Sequence, residues 1–123
     1  MKKVKIYLRT ILVNNETQLM LFDSNRNGAV NDLVTEAPAG STLIWKTDNC
    51  SGIEKILRVY SKTGKGNVFH TEPKKCRFSK GFYLNLSTNA KGEEAYSIEY
   101  IPCGKEKVTI DPTIKIPPPP LHG

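Results

Sequence analysis

Histidine, tryptophan and cysteine are scarce in this 123-residue chain, which has two, one and three of them. Three cysteines cannot complete a set of intrachain disulfides, and Cys50, Cys76 and Cys103 form no C-x-x-C pair. A complete disulfide framework is therefore excluded, and in a reducing compartment all three would be free thiols packed as small apolar groups. Structural zinc draws ligands from a C-x₂₋₄-C knuckle, and the three cysteines with His70 offer none. Neither His70 nor His122 lies beside a nucleophile in a recognisable setting such as a G-x-S-x-G elbow. The acidic pair Glu93-Glu94 follows Lys91-Gly92 in a turn and reads as solvated. The chain is thus expected to be no enzyme, with no metal and no cofactor. No apolar run approaches the roughly 18–20 residues of a transmembrane helix, so no membrane insertion is expected. Met1-Lys2-Lys3 opens like a secretory signal, but Lys5 and Arg9 interrupt the apolar segment that a signal requires. The first residues read as a strand of a mature, cytoplasmic protein.

What the chain does have is a period of two. Val4, Ile6, Leu8, Thr10 and Leu12 alternate with Lys3, Lys5, Tyr7 and Arg9, the mark of a strand with one buried face. Phe82, Leu84 and Leu86 repeat the pattern, as do Tyr96, Ile98 and Tyr100, and then Val108, Ile110, Ile114 and Ile116. Pro112 cannot donate to a ladder, so the last strand should lie at an edge or bulge there. Shorter candidates span 18–22, 33–36 and 42–47. Turn signals such as Asn14-Asn15, Asn27-Gly28, Pro38-Ala39-Gly40 and Lys91-Gly92 punctuate them. The expected fold is all-β, an antiparallel sandwich of about seven to nine strands. Its core should hold Val4, Ile6, Leu8, Leu43 or Trp45, Leu84, Ile98 and Tyr100. Residues 1–116 form the single domain, and 117–123 form a proline-rich C-terminal tail. One stretch is ambiguous: Ile53, Ile56, Leu57 and Tyr60 fit a helical spacing, yet the stretch is short and flanked by strands, so it reads as a strand.

Several motifs resemble working sites in part. Asp23 to Gly28 follows the D-x-[DN]-x-[DN]-G opening of a calcium loop, but Val34 stands where the bidentate acid belongs. A polar loop closing a hairpin through Asn27-Gly28 is the plainer reading. Lys62-Thr63-Gly64-Lys65-Gly66 lacks the first glycine and the helix of a phosphate-binding loop, so it is a turn. Lys80-Gly81-Phe82-Tyr83 echoes the aromatic strand of RNA-recognition domains, but its two rings fall on opposite faces of a strand. The four prolines 117–120 favour an extended polyproline conformation, read as a stiff extension.

The net charge of +6 is unevenly placed. Residues 53–83 carry Lys55, Arg58, Lys62, Lys65, Lys74, Lys75, Arg77 and Lys80 against Glu54 and Glu72, and the remainder is neutral. A binding function through this basic segment would use Lys62, Lys65, Lys74, Lys75, Arg77 and Lys80 as anion-binding residues. Phe69, Phe78, Phe82 and Tyr83 are the rings within reach of it that could stack on bases.

From Pro38 to Ile116 the layout resembles small cupredoxin-like or immunoglobulin-like bacterial sandwich proteins of unknown function. The segments that carry the resemblance are Pro38-Ala39-Gly40-Ser41-Thr42-Leu43-Ile44-Trp45-Lys46, the late strand Tyr96 to Cys103, and Val108 to Ile114. It implies a fold without copper, since Asp48-Asn49-Cys50 brings no histidine and Gly104-Lys105-Glu106 neither histidine nor methionine. The expected function is a non-enzymatic binding or interaction module with a protein partner not yet identified. The alternative is binding of single-stranded nucleic acid or another polyanion through the basic segment.

Overall fold

Strands whose alternate residues are apolar bury one face each, and two sheets built this way close over a shared core. The computed structural model describes residues 2–30, 33–47, 51–62, 66–77 and 79–118. Of the residues singled out above, Met1, Asp48, Asn49, Cys50, Thr63, Gly64, Lys65, Phe78 and the tail beyond Pro118 with His122 lie outside the described residues. The chain runs through β1 (Lys3–Val13), β2 (Glu16–Asp23), β3 (Gly28–Val30), β4 (Val34–Glu36), β5 (Thr42–Thr47) and β6 (Ile53–Ser61). It continues through β7 (Lys74–Lys75), β8 (Phe82–Asn85), β9 (Gly92–Pro102), β10 (Val108–Ile110) and β11 (Thr113–Ile116), and no helix occurs among the described residues. The first sheet has the order β3-β2-β1-β5-β8-β7. In the second, β9 is the spine: β6 pairs with one edge, β10 and β11 follow each other along the other, and β4 flanks β11.

The all-β architecture and the expected core hold: Val4, Ile6, Leu8, Leu43, Trp45, Leu84, Ile98 and Tyr100 are all buried. Two features differ from the sequence-based expectation. The described residues form eleven strands, because β3 and β7, of three and two residues, are too short to show a period and Pro112 splits the last strand into β10 and β11. Pro112 marks a break between a half at the sheet edge, β10, and an inner half, β11, which lies between β9 and β4; the Pro112 carbonyl still accepts from the Tyr96 amide at 2.9 Å. The sheets are also mixed, since β1 runs parallel to β5 and β4 parallel to β11. The chain leaves the first sheet after β3, contributes β4 to the second, and returns as β5 beside β1. Parallel neighbours need such a crossover, and one strand's alternation says nothing of its neighbour's direction.

In β6 the strand reading is correct, and the helix-like spacing has a physical origin. The ladder to β9 skips Glu54 and Leu57, two bulges that each insert one unpaired residue. The inward residues are therefore Ile53, Ile56 and Val59, opposite Pro102, Tyr100 and Ile98. Bulging has stretched the strand's period from two to three.

Local chemistry sets the other junctions. Asn14 and Asn15 both have positive φ, 51° and 66°, between paired Val13 and Glu16, the geometry that matches strand twist in a two-residue hairpin. At the centre of the core the Trp45 indole donates to the Tyr96 hydroxyl at 2.9 Å. Phe69 packs on both rings, with centroids 6.4 and 5.3 Å away. Burial pushes the Tyr96 phenol well above the usual tyrosine range. Glu94 holds Phe69 in place: one carboxylate oxygen accepts from the Val68 and Phe69 amides at 3.1 and 3.2 Å, and the other from the Ser61 hydroxyl.

Candidate functional site

Four of the six basic residues expected to bind anions lie on the β7–β8 hairpin at one end of the first sheet. Phe82 and Leu84 point into the core and fix β8, and β7 adds to its free edge through Lys74 opposite Tyr83 and Lys75 opposite Phe82. The Cys76 amide donates to the Gly81 carbonyl at 2.8 Å and closes the loop that carries Arg77 and Lys80. Gly81 lets the hairpin press on β5, since a Cβ there would stand 2.3 Å from the Trp45 carbonyl oxygen. Lys74, Lys75, Arg77 and Lys80 are all exposed, and no acid occurs between Pro73 and Gly81. Among the described residues Lys74, Lys75 and Lys80 have no ion pair.

Lys62 is placed differently. It follows β6 in the second sheet, with its Nζ 3.5 Å from Asp111 Oδ2. Lys55 and Arg58 also belong to that sheet; Arg58 lies opposite Glu99 and stacks 4.0 Å from the Tyr60 ring centre. Of the rings expected to meet bases, Phe69 and Phe82 are core residues, and only Tyr83 is partly exposed among those described.

The Asp23 loop uses its carboxylate internally. Oδ1 accepts from the Asn25 and Asn27 amides, both at 3.0 Å, and Oδ2 from the Thr35 hydroxyl at 3.1 Å. The left-handed residue of this turn is Arg26, with φ 69°, in place of the Asn27-Gly28 pair. The carboxylate thus ties the β2–β3 hairpin to β4 of the other sheet. Among the described residues no three His, Cys, Asp or Glu side chains are grouped to hold a metal ion. The thiols depart from the expected burial: Cys76 is half-buried and Cys103 exposed in the turn after β9. No described helix is long and apolar enough to cross a membrane. An open groove of about 1010 Å³ lies where Pro38 and Ala39 face Ala90, Ile116 and Pro118.

Compared with known proteins, the chain matches no family model and no curated protein.

Counting charge along the chain overlooked the first sheet's outer face. Register places Lys3, Lys5, Tyr7 and Arg9 on it, joined by Lys46 and Lys74 from neighbouring strands. The signal was in the alternation of β1, whose polar positions are almost all cationic.

Proposed function

We propose that the protein is a non-enzymatic binding module that recruits an anionic partner at the β7–β8 hairpin. The observation that carries this reading is the gathering of Lys74, Lys75, Arg77 and Lys80 on one exposed hairpin without an acid among them. Like charges held this close repel one another, and an anionic partner relieves that repulsion while its approach is steered by the field. A protein with an acidic surface fits this description. Binding of a polyanion is the second reading, favoured by Tyr83, which stands beside Lys74 with its ring partly exposed. Free thiols at Cys76 and Cys103 support a reducing, cytoplasmic setting. Two mixed sheets over one core support a cupredoxin-like or immunoglobulin-like frame.

The test is a quadruple charge reversal, Lys74, Lys75, Arg77 and Lys80 each to Glu, compared with the parent on heparin and in pull-downs with and without nuclease. The parent should be retained on heparin in a salt-dependent manner and the variant should not, at equal thermal midpoints. Equal retention of the two proteins would refute the assignment.

A further inference from the structure

The two outer faces of the protein differ in charge and in chemistry. On the second sheet acids and bases stand opposite each other: Arg58 across from Glu99, and Lys115 between Glu93 and Glu36. Lys107 reaches Glu99 at 3.1 Å as well. On the first sheet the strands direct Lys3, Lys5, Arg9, Lys46 and Lys74 outward; among the described residues register adds Glu16, at the far tip of the β1–β2 hairpin, and Glu72 lines a small hollow with Lys74 and Tyr83. Glu16 pairs with Val13, six residues along β1 from Tyr7, or about 20 Å at strand rise.

Rings are set among these cations. Tyr7 and Phe22 are cross-strand neighbours, both partly exposed. Lys46 places its ammonium 5.7 Å from the centre of the Tyr7 ring. Tyr83 stands two strands from Tyr7, about 10 Å across the sheet, with Ile44 and Lys5 in its own cross-strand row. A sheet face on which cations alternate with ring faces offers a polyanionic strand both charge neutralisation and stacking surfaces. On the second face the charges are already opposed, and Tyr60, its partly exposed ring, carries the Arg58 guanidinium 4.0 Å from its centre.

We infer that the outer face of the first sheet, from Phe22 through Tyr7 to Tyr83, binds single-stranded nucleic acid, with bases on the rings and phosphates on Lys5, Lys46 and Lys74. This rests on the anionic-partner reading of the hairpin and extends it from β7–β8 across three further strands, β5, β1 and β2. Recognition is sequence-tolerant, because every base has a face to stack.

The experiment compares labelled oligouridylate and oligothymidylate with heparin, which has charge but no bases. Tyr7→Leu, Phe22→Leu and Tyr83→Leu should each weaken oligonucleotide binding roughly fivefold or more and leave heparin retention unchanged. Tyr7→Phe keeps the ring and should keep the affinity, which separates stacking from folding. Lys5→Gln combined with Lys46→Gln should flatten the log–log salt slope for the oligonucleotide by about 1.4, at about 0.7 per phosphate contact. Wild-type oligonucleotide binding in all three leucine variants overturns the inference and leaves the hairpin reading to its own heparin test. Equal loss of heparin and oligonucleotide also overturns it. A parent protein that binds neither at low salt overturns it together with the polyanion reading of the hairpin, whereas the acidic-protein reading is decided by the nuclease-treated pull-down.

Discussion

Tyr96→Phe is the most informative perturbation of the core because two independent consequences can be worked out. The Tyr96 hydroxyl is the acceptor for the buried Trp45 indole, and removing it leaves that N–H without a partner. An unsatisfied buried donor costs about 1–3 kcal/mol, so the variant should be less stable by that amount at neutral pH. The second consequence depends on pH. Burial raises the folded-state phenol above the ordinary tyrosine value of about 10. A group whose folded pKa is raised contributes fully below its unfolded pKa and loses that contribution as pH climbs toward the folded one. At pH 11 ionisation at position 96 in the unfolded chain therefore removes about 1.4 kcal/mol from the wild type and has no counterpart in the phenylalanine variant, while Tyr100, also raised by burial, acts on both proteins alike. The gap between the two proteins should narrow by that amount from pH 7 to pH 11. The single tryptophan is itself the residue in contact, so urea unfolding followed by Trp45 fluorescence reads the transition directly. A stability difference that stays constant over this range would refute the argument that Tyr96 is held neutral by burial.

Other expectations follow from contacts at the sheet junctions. Asp23→Ala strips the acceptor from two amides and the Thr35 hydroxyl and should cost about 2–3 kcal/mol, whereas Asp23→Asn, which keeps one acceptor, should cost less in the same denaturation assay. Because that carboxylate is already committed, millimolar calcium should leave the thermal midpoint unchanged, and a rise on adding calcium would contradict this. Gly81→Ala forces a methyl against the Trp45 carbonyl and should cost about 2–3 kcal/mol. Gly104→Ala meets no atom within 4 Å and should cost only about 1 kcal/mol for its positive φ; equal losses at the two glycines would count against the close approach.

Where a strand is regular, its sequence is legible. From Lys3 to Arg9 in β1 and from Leu43 to Lys46 in β5 burial alternates, and the inward residues Val4, Ile6, Leu8, Leu43 and Trp45 follow from period two, whereas toward the hairpin tip of β1 the pattern lapses and Leu12 is exposed. β6 shows how legibility fails. Its two bulges are properties of the pairing with β9 and shift the buried set to every third residue, so the strand imitates one face of a helix. No local pattern distinguishes the two until the partner is known. The parallel pairs were hidden for a related reason: direction is set by which sheet the chain visits between two strands. Asp23 is ambiguous in another way, since a carboxylate that closes a turn and one that opens a calcium loop call for similar neighbours, and the missing acid at Val34 favours the turn.

The candidate site shows the same limit in electrostatic form. A window count along the chain assumes that neighbours in sequence remain neighbours in space. In a sheet, consecutive residues point to opposite faces and the true neighbours stand about 5 Å away on other strands. The segment 53–83, which holds the whole net charge by that count, is accordingly divided between layers. Lys55, Arg58 and Lys62 go with the second sheet, where Glu99 opposes Arg58 and Asp111 opposes Lys62, and Lys74 joins the first sheet. The β1 segment, unremarkable in a linear tally, contributes three cations and a ring to one face because it contains no acid and its outward positions from Lys3 to Arg9 are Lys, Lys, Tyr and Arg. For a β protein the unit of charge that a partner meets is thus the cross-strand row. Here those rows make one face of the sandwich cationic and aromatic and leave the other balanced.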